Sequence, residues 1–228
     1  MEGPGAPGPL LIACALGIEH LALRRGLGRP GPAPGDESDG DGHGHPGTEH
    51  VRLLRSGMGP QAARRAVTGA LQGEAVPGGT TVLATGFCAG LATGMRPGDL
   101  VVAGETRDAA GRTPCTGTEL LATVLAPYGT VHTGPLAGSD HVVRGAERAA
   151  LHATGAIAAD MESAATLAAA AAGTARRPVA AVRVVVDAPG HELIRVGTLR
   201  GGISAFRVLR GVLPAFLEWH RSLLLPWR

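Results

Sequence analysis

Short apolar runs, each closed by a glycine or a carboxylate and followed by a helical pattern, are what most limit the folds open to this chain. Leu10 to Leu16 reads as a buried strand, and Gly17-Ile18-Glu19-His20 then turns into a helix reaching about Arg25. His50 to Leu54 is a short strand, after which Ser56-Gly57-Met58-Gly59-Pro60 leads into a helix over Gln61 to Leu71. Thr81 to Thr85 is an apolar strand followed by a glycine-punctuated loop from Gly86 to Gly90, and Asp99 to Ala103 is a strand ending at Glu105. Thr118 to Leu125 is helical, Gly129 to Pro135 a strand, and Ala146 to Thr154 helical. Ala156 to Ala159 is a strand, Ser163 to Ala172 a helix, Val179 to Val186 a strand, and Ile203 to Arg221 one long helix. Strands alternating with helices predict an α/β fold, a three-layer α/β/α sandwich with a mixed, mostly parallel central sheet. In such sheets a site forms beyond the carboxyl ends of the strands. Glu19, Gly86, Glu105, Asp140, Glu162 and Asp187 all fall at those ends and are expected to converge there.

At 228 residues the chain suits one large domain, and 44% hydrophobic residues allow a sizeable core. The expected organisation is a flexible N-terminus over 1–9, a single domain over 10–222 with a mobile insertion at 28–49, and an apolar tail over 223–228. The Gly28–Glu49 insertion is rich in Gly, Pro, Asp and His and nearly free of apolar residues. His43, His45 and His50 lie in it or at its edge, and a solvated linker is favoured there over a metal site. A net charge of +2, from 21 basic and 19 acidic residues, is too balanced for nucleic-acid binding. Three well-separated cysteines, Cys14, Cys88 and Cys115, show no disulfide framework or metal-ligand spacing, which suits a reducing cytosol. The N-terminus lacks the basic region of a signal peptide, and no apolar run approaches the ~18 residues of a transmembrane helix. A cytoplasmic protein without metal or cofactor is expected. The apolar tail Ser222 to Arg228 reads as packing at the end of the last helix, or as transient contact with a partner or the inner-membrane surface.

The segment Ala158-Ala159-Asp160-Met161-Glu162-Ser163 sets two carboxylates where an apolar run becomes an alanine-rich helix. A carboxylate at the edge of a core needs a partner or a task. Asp187 closes the next apolar run in the same way. Glu19 alone is a favourable charge in a first helical turn, and Asp187 alone caps Ala188-Pro189-Gly190. Taken with Asp160-Met161-Glu162 they read as a site, in which partial burial would raise the pKa of Asp187 enough for it to donate a proton. The turns Ser56-Gly57-Met58-Gly59 and Thr85-Gly86-Phe87-Cys88-Ala89-Gly90 permit close approach of a ligand, as would any tight strand-to-helix turn. Cys88 is read as a packed residue rather than a nucleophile, since no histidine stands beside it in sequence.

In these residues the chain resembles the purine nucleoside phosphorylase and nucleosidase superfamily, specifically its methylthioadenosine/adenosylhomocysteine nucleosidase-like side. The resemblance runs from Leu10 to the last helix, apart from the Gly28–Glu49 segment. Ala15 to Glu19 is similar to the family's opening strand and base-bearing glutamate, and Ser56-Gly57-Met58-Gly59 to its SGxG turn. Gly86 to Leu91, with Pro97-Gly98-Asp99-Leu100-Val101-Val102, resembles its glycine-rich loop and following strand. Ser139-Asp140 matches the family's SGD turn in part. Asp160-Met161-Glu162 resembles its ribose-binding Met-Glu pair, and Val182-Arg183 to Asp187 its last strand. The run from Gly138-Ser139-Asp140 through Ala150-Leu151-His152 to Asp160-Met161-Glu162-Ser163 looks like the hopanoid-biosynthesis-associated branch, whose members are thought to remove adenine from adenosylhopane, giving ribosylhopane.

The resemblance implies a nucleoside phosphorylase-like fold and cleavage of the N-glycosidic bond of a 5′-substituted adenine nucleoside. Asp187 would be the general acid at purine N7. Glu162 would accept the ribose hydroxyls and favour the oxocarbenium-like transition state. Met161 would pack on the ribose, Glu19 would activate water, and the backbone near Val142 and Val143 would meet the purine edge. Gly59, Gly86 and Phe87 complete the expected substrate-binding set. The partners implied are a small nucleoside, lipid-linked in the hopanoid case, and further copies of the chain in a homo-oligomer. This chain departs from the family pattern in three places. The stretch Leu83-Ala84-Thr85-Gly86 lacks the phosphate-holding arginine of the phosphorylases, which favours hydrolysis. Phe87 replaces a small or hydroxyl residue, and Val186 stands where a serine commonly precedes the acid. Phosphorolysis, and a nucleoside-binding protein that has lost catalysis, are the competing readings.

Overall fold

The structure, a computed structural model, describes residues 8–27, 50–74, 79–172, 176–189 and 198–223. The insertion at 28–49, the N-terminal residues 1–7 and the tail from 224 onward lie outside the described residues, and so do His43 and His45. Among the described residues eight strands form: β1 (Leu10–Cys14), β2 (Val51–Arg55), β3 (Thr81–Gly90), β4 (Leu100–Asp108), β5 (Gly111–Pro114), β6 (Val131–Gly138), β7 (Ala158–Asp160) and β8 (Val179–Asp187). Seven helices join them: α1 (Gly17–Leu27), α2 (Pro60–Leu71), α3 (Thr118–Leu125), α4 (Gly145–Ala153), α5 (Ser163–Ala171), α6 (Thr198–Gly211) and α7 (Leu213–Ser222).

The order along the sheet is β2-β1-β3-β7-β6-β4-β5, and β8 pairs with both β3 and β4. β1 pairs in parallel with β2 and β3, β3 with β8, β4 with β6, and β6 with β7. The contacts β3–β7, β4–β5 and β4–β8 are antiparallel. The sheet is therefore mixed and mostly parallel, as the sequence predicts. Because β8 bridges β3 and β4, the strands β3, β7, β6, β4 and β8 also close into a ring. The mouth of this ring is where the strands that carry the acidic residues end.

Strand alternation explains the layers. Leu10, Ile12 and Cys14 of β1 point to one face, where they pack with Leu23 of α1, Leu209 of α6, and Phe216 and Trp219 of α7. Leu11 and Ala13 point to the other, with Val67 of α2 and Leu167 and Ala170 of α5. Each fully buried large apolar side chain of this kind contributes roughly 1.5–3 kcal/mol.

Three elements differ from the sequence expectation. Thr81 to Gly90 is one ten-residue strand rather than a strand and a loop. Val82 to Ala89 pair with β8 along one edge, while Ala89 and Gly90 pair with β7 on the other, so its glycines mark close approaches within a ladder. At Gly90 a Cβ would meet Met95 Sδ at 2.9 Å. β4 runs on to Asp108 and turns back as β5, which removes Glu105 from a strand end. The long C-terminal helix is two, because Pro214 in the first turn of α7 has no N–H to offer the Arg210 carbonyl.

Candidate active site

The segment around Met161 is built on an ion pair beneath the ring. Asp160 ends β7 and pairs with the Arg183 Nη2 from the middle of β8. Arg183 Nε donates to Ser163 Oγ at 2.8 Å, and Nη1 to the Thr85 carbonyl at 2.8 Å. Asp160 also accepts the Ser163 backbone N–H at 3.1 Å, which anchors the first turn of α5. Burial opposes the charge on Arg183, but Asp160, then Glu162 and Glu19, more than offset this and raise its pKa. Arg183 is 1% exposed and its donors are taken up within the protein.

Around this base stand the three carboxylates the sequence singles out. Glu19, in the first turn of α1, accepts the Ala15 and Leu16 N–H groups on Oε2 at 2.9 and 2.8 Å. Its Oε1 accepts the Phe87 N–H at 2.8 Å, which ties the start of α1 to β3. A Cβ on Gly86, at φ +135°, would lie 2.5 Å from both Glu19 Oε1 and Arg183 Nη1, so only glycine leaves room for that carboxylate. Glu162 precedes α5 and accepts the Gly59 N–H on Oε1 at 2.8 Å. Gly59 has φ +89° where the turn enters α2, a backbone geometry natural to glycine. Burial raises the pKa of Glu162, and Arg183 and the Gly59 N–H oppose the rise.

Asp187 ends β8. The pairing of β3 with β8 slips between Cys88 and Ala89, which places Cys88 opposite Val185 and Ala89 opposite Asp187. Val186 is the extra residue of this bulge, and a bulge of this kind re-aims the side chains that follow it. The sequence reading makes partial burial alone govern Asp187; the structure adds a guanidinium. Arg148 of α4 donates from Nη1 to Asp187 Oδ2 at 3.0 Å, while Asp187 Oδ1 is buried and has no protein partner.

These groups border one cleft of about 180 Å³. Glu19, Phe87, Val142, Val143, Met161, Glu162 and Asp187 all line it, so the structure brings together seven of the nine residues expected at the site. Gly59 and Gly86 stand behind this lining, the first holding Glu162 and the second making room for Glu19. Two of the strand-end acids lie elsewhere. Glu105 pairs with Arg107 and Arg112 on the β4–β5 hairpin, and Asp140 is exposed and bound to His141. Cys88 lines the cleft but is 4% exposed, and burial pushes its thiol pKa up, as suits a packed residue.

Leu16, Met58, Ser139, His141 and Val186 also line the cleft. His141 bridges Asp140 and Glu147, whose hydrogen bonds raise its pKa. Sequence reasoning missed His141 and Arg148, since each stands in a polar stretch like any solvated one. Among the described residues bordering the cleft there is no arginine or lysine, and none of the described residues forms a group able to hold a metal ion.

A family profile described as the phosphorylase superfamily matches residues 43–130. A search of curated protein sequences returns no match. Among solved structures, the chain is similar to a 5′-methylthioadenosine/S-adenosylhomocysteine nucleosidase from Neisseria meningitidis in complex with methylthio-immucillin-A. That likeness has a TM-score of 0.70 and 19% identity over 94% of this chain and 99% of the other. A native futalosine hydrolase of Helicobacter pylori aligns with a TM-score of 0.69 and 15% identity, over 95% and 98% of the two chains. The Streptococcus pneumoniae MTA/SAH nucleosidase in complex with 8-aminoadenine gives 0.65 and 20%, over 92% and 98%. At these identities the likeness establishes the fold, which is that of the nucleoside phosphorylases and nucleosidases.

Proposed function

We propose that this chain hydrolyses the N-glycosidic bond of a 5′-substituted adenine nucleoside and releases adenine. The observation that carries the reading is the convergence of Glu19, Glu162 and Asp187, from three separate elements, on one apolar cleft beside Met161. Such a bond breaks through a ribosyl cation-like state, so it needs negative charge near the sugar and a proton for the departing base. Glu162 supplies the charge. One of its oxygens is fixed by Gly59, which leaves the other for the ribose hydroxyls. Met161 packs on the sugar. Asp187 supports the proton at purine N7 through Oδ1, whose lone pairs have no partner in the protein. Glu19, oriented by three backbone N–H groups, activates the attacking water. The backbone at Val142 and Val143 meets the purine edge.

Hydrolysis is preferred to phosphorolysis because a phosphate dianion needs charge-assisted donors. No arginine or lysine is among the described residues lining the cleft, and Arg183 has its donors committed elsewhere. Leu16, Met58, Phe87, Val142 and Val186 make the lining apolar, and Met58 and Val142 are exposed. This suits a hydrophobic 5′ substituent. With the sequence resemblance, it supports adenosylhopane as substrate and ribosylhopane as product, in a cytoplasmic homo-oligomer that meets the membrane surface transiently. None of the described helices is long and apolar enough to cross a membrane.

The test is adenine release from methylthioadenosine, adenosylhomocysteine and adenosylhopane, each with and without phosphate. Phosphate-independent release, fastest with adenosylhopane, is the expected result. A ribosyl 1-phosphate formed only when phosphate is added would replace hydrolysis by phosphorolysis. Tight nucleoside binding without product would mark a binding protein.

A further inference from the structure

Asp187 is held from outside its own sheet. The Arg148 guanidinium reaches from α4 and places Nη1 3.0 Å from Asp187 Oδ2. Its Nη2 donates to the Gly90 carbonyl at 2.6 Å and to the Asp187 carbonyl at 3.4 Å. One planar fork therefore binds three acceptors on the ends of β3 and β8, which holds Oδ2 and the end of β8 in place. Packing does not explain the arginine, because none of the residues of α4 is fully buried. The consequence falls on the other oxygen. Oδ1 is buried and unpartnered while Asp187 borders the cleft. Leaving a buried acceptor unmatched is unfavourable, the more so for a charged group, and a ligand N–H removes that cost.

We propose that Arg148 is the positioning residue of this cleft, holding Asp187 with Oδ1 turned to the ligand as an acceptor for a ring or amino N–H of the base. It does from a neighbouring helix what Val186, an apolar side chain, cannot do from the adjacent position. In the proposed reaction Asp187 carries a proton on Oδ1 and passes it to purine N7, after which Oδ1 accepts the N7–H of the departing base. In that step the Oδ1–H bond breaks, the N7–H bond forms, the electrons of the C1′–N9 bond leave with the base, and a water beside Glu19 bonds to C1′ as its proton passes to the Glu19 carboxylate. The catalytic half of this inference rests on the proposed reaction; the binding half does not.

Adenine affinity by titration calorimetry and nucleoside turnover would be measured for the unsubstituted protein, R148A, R148K, D187N and R148A/D187N, with thermal melts as a check on folding. R148A is expected to stay folded, to lose about tenfold or more in adenine affinity and in kcat, and to change KM less. R148K is expected to recover only part, because an ammonium cannot span three acceptors. In the D187N background the same arginine substitution is expected to cost less than about twofold, since residues acting through one another are not additive. An R148A protein within about twofold of the unsubstituted chain would overturn the proposal, as would an equal loss in both backgrounds, which would make Arg148 a brace between α4 and β3. If the unsubstituted protein binds adenine but cleaves no nucleoside, the proposed reaction fails and the affinity cycle still decides Arg148. Absence of adenine binding would overturn both.

Discussion

At Glu162 the proposed role and stability pull against each other in a single side chain. Burial disfavours its charge and raises its pKa above the ordinary 4.5. The folded state therefore holds the proton to higher pH than the unfolded chain does. Stability from this group is fully present at low pH and is lost as pH rises from about 4.5 through the folded-state pKa. Glu162→Gln keeps an acceptor for the Gly59 N–H without the buried charge. Urea unfolding should show the variant gaining on the unsubstituted protein between pH 4.5 and 7.5, while turnover falls by about a hundredfold or more. Equal stability at both pH values would show that the carboxylate is not desolvated as described. That these three carboxylates border one cleft was legible in the sequence, because an acid where an apolar run ends is hard to explain otherwise. Arg148 was not, since an arginine on a surface helix shows its role only when the chain folds it against Asp187. Gly86 was legible as a glycine at the site, but its task, leaving space between Glu19 and Arg183, belongs to three-dimensional packing.

Elements were legible where pattern and length agreed, as in β1, α2, α3, α5 and β8. They were misread where tertiary contacts override local signals. β3 carries glycines that look like a loop, yet β8 pairs along nearly its whole length while β1 and then β7 take its other edge, and the strand continues. β5 is a short, largely exposed strand with no apolar alternation, so nothing in Gly111–Pro114 announces it. The division of α6 from α7 was signalled by Pro214 and passed over because apolar periodicity runs across it. α7 also carries a testable device. Its His220 is 6% exposed, donates from Nε2 to the Gly8 carbonyl 2.9 Å away, and leaves Nδ1 buried without a partner. Burial lowers its pKa below the ordinary 6.5. Below that value the unfolded chain binds a proton that the folded chain does not, so stability falls as pH drops from 6.5 through the folded-state pKa. The melting temperature of the unsubstituted protein should drop between pH 7.5 and 5.5 by more than that of His220→Gln; parallel curves would contradict this.

At the scale of the whole molecule, the ring of strands explains why residues far apart in sequence meet. β1 delivers Glu19, β3 delivers Phe87, β7 delivers Met161 and Glu162, and β8 delivers Asp187, all to the mouth of the closed strands. Arg183 joins the same elements from below, through Thr85, Asp160 and Ser163. The alternation of elements made the mixed sheet predictable; the bridging of β3 and β4 by β8 was not, because strand order leaves no local mark in sequence. We propose that this assembly is a hydrolase whose proton transfer runs through Asp187. The most direct test is a time course of adenine release from methylthioadenosine and adenosylhopane in phosphate-free buffer, with the unsubstituted protein beside Asp187→Asn. The expected result is adenine and free ribosyl product in equal amounts, with a loss of about 10²-fold or more in the folded variant. No adenine from the unsubstituted protein without phosphate, or full activity in the variant, would contradict it.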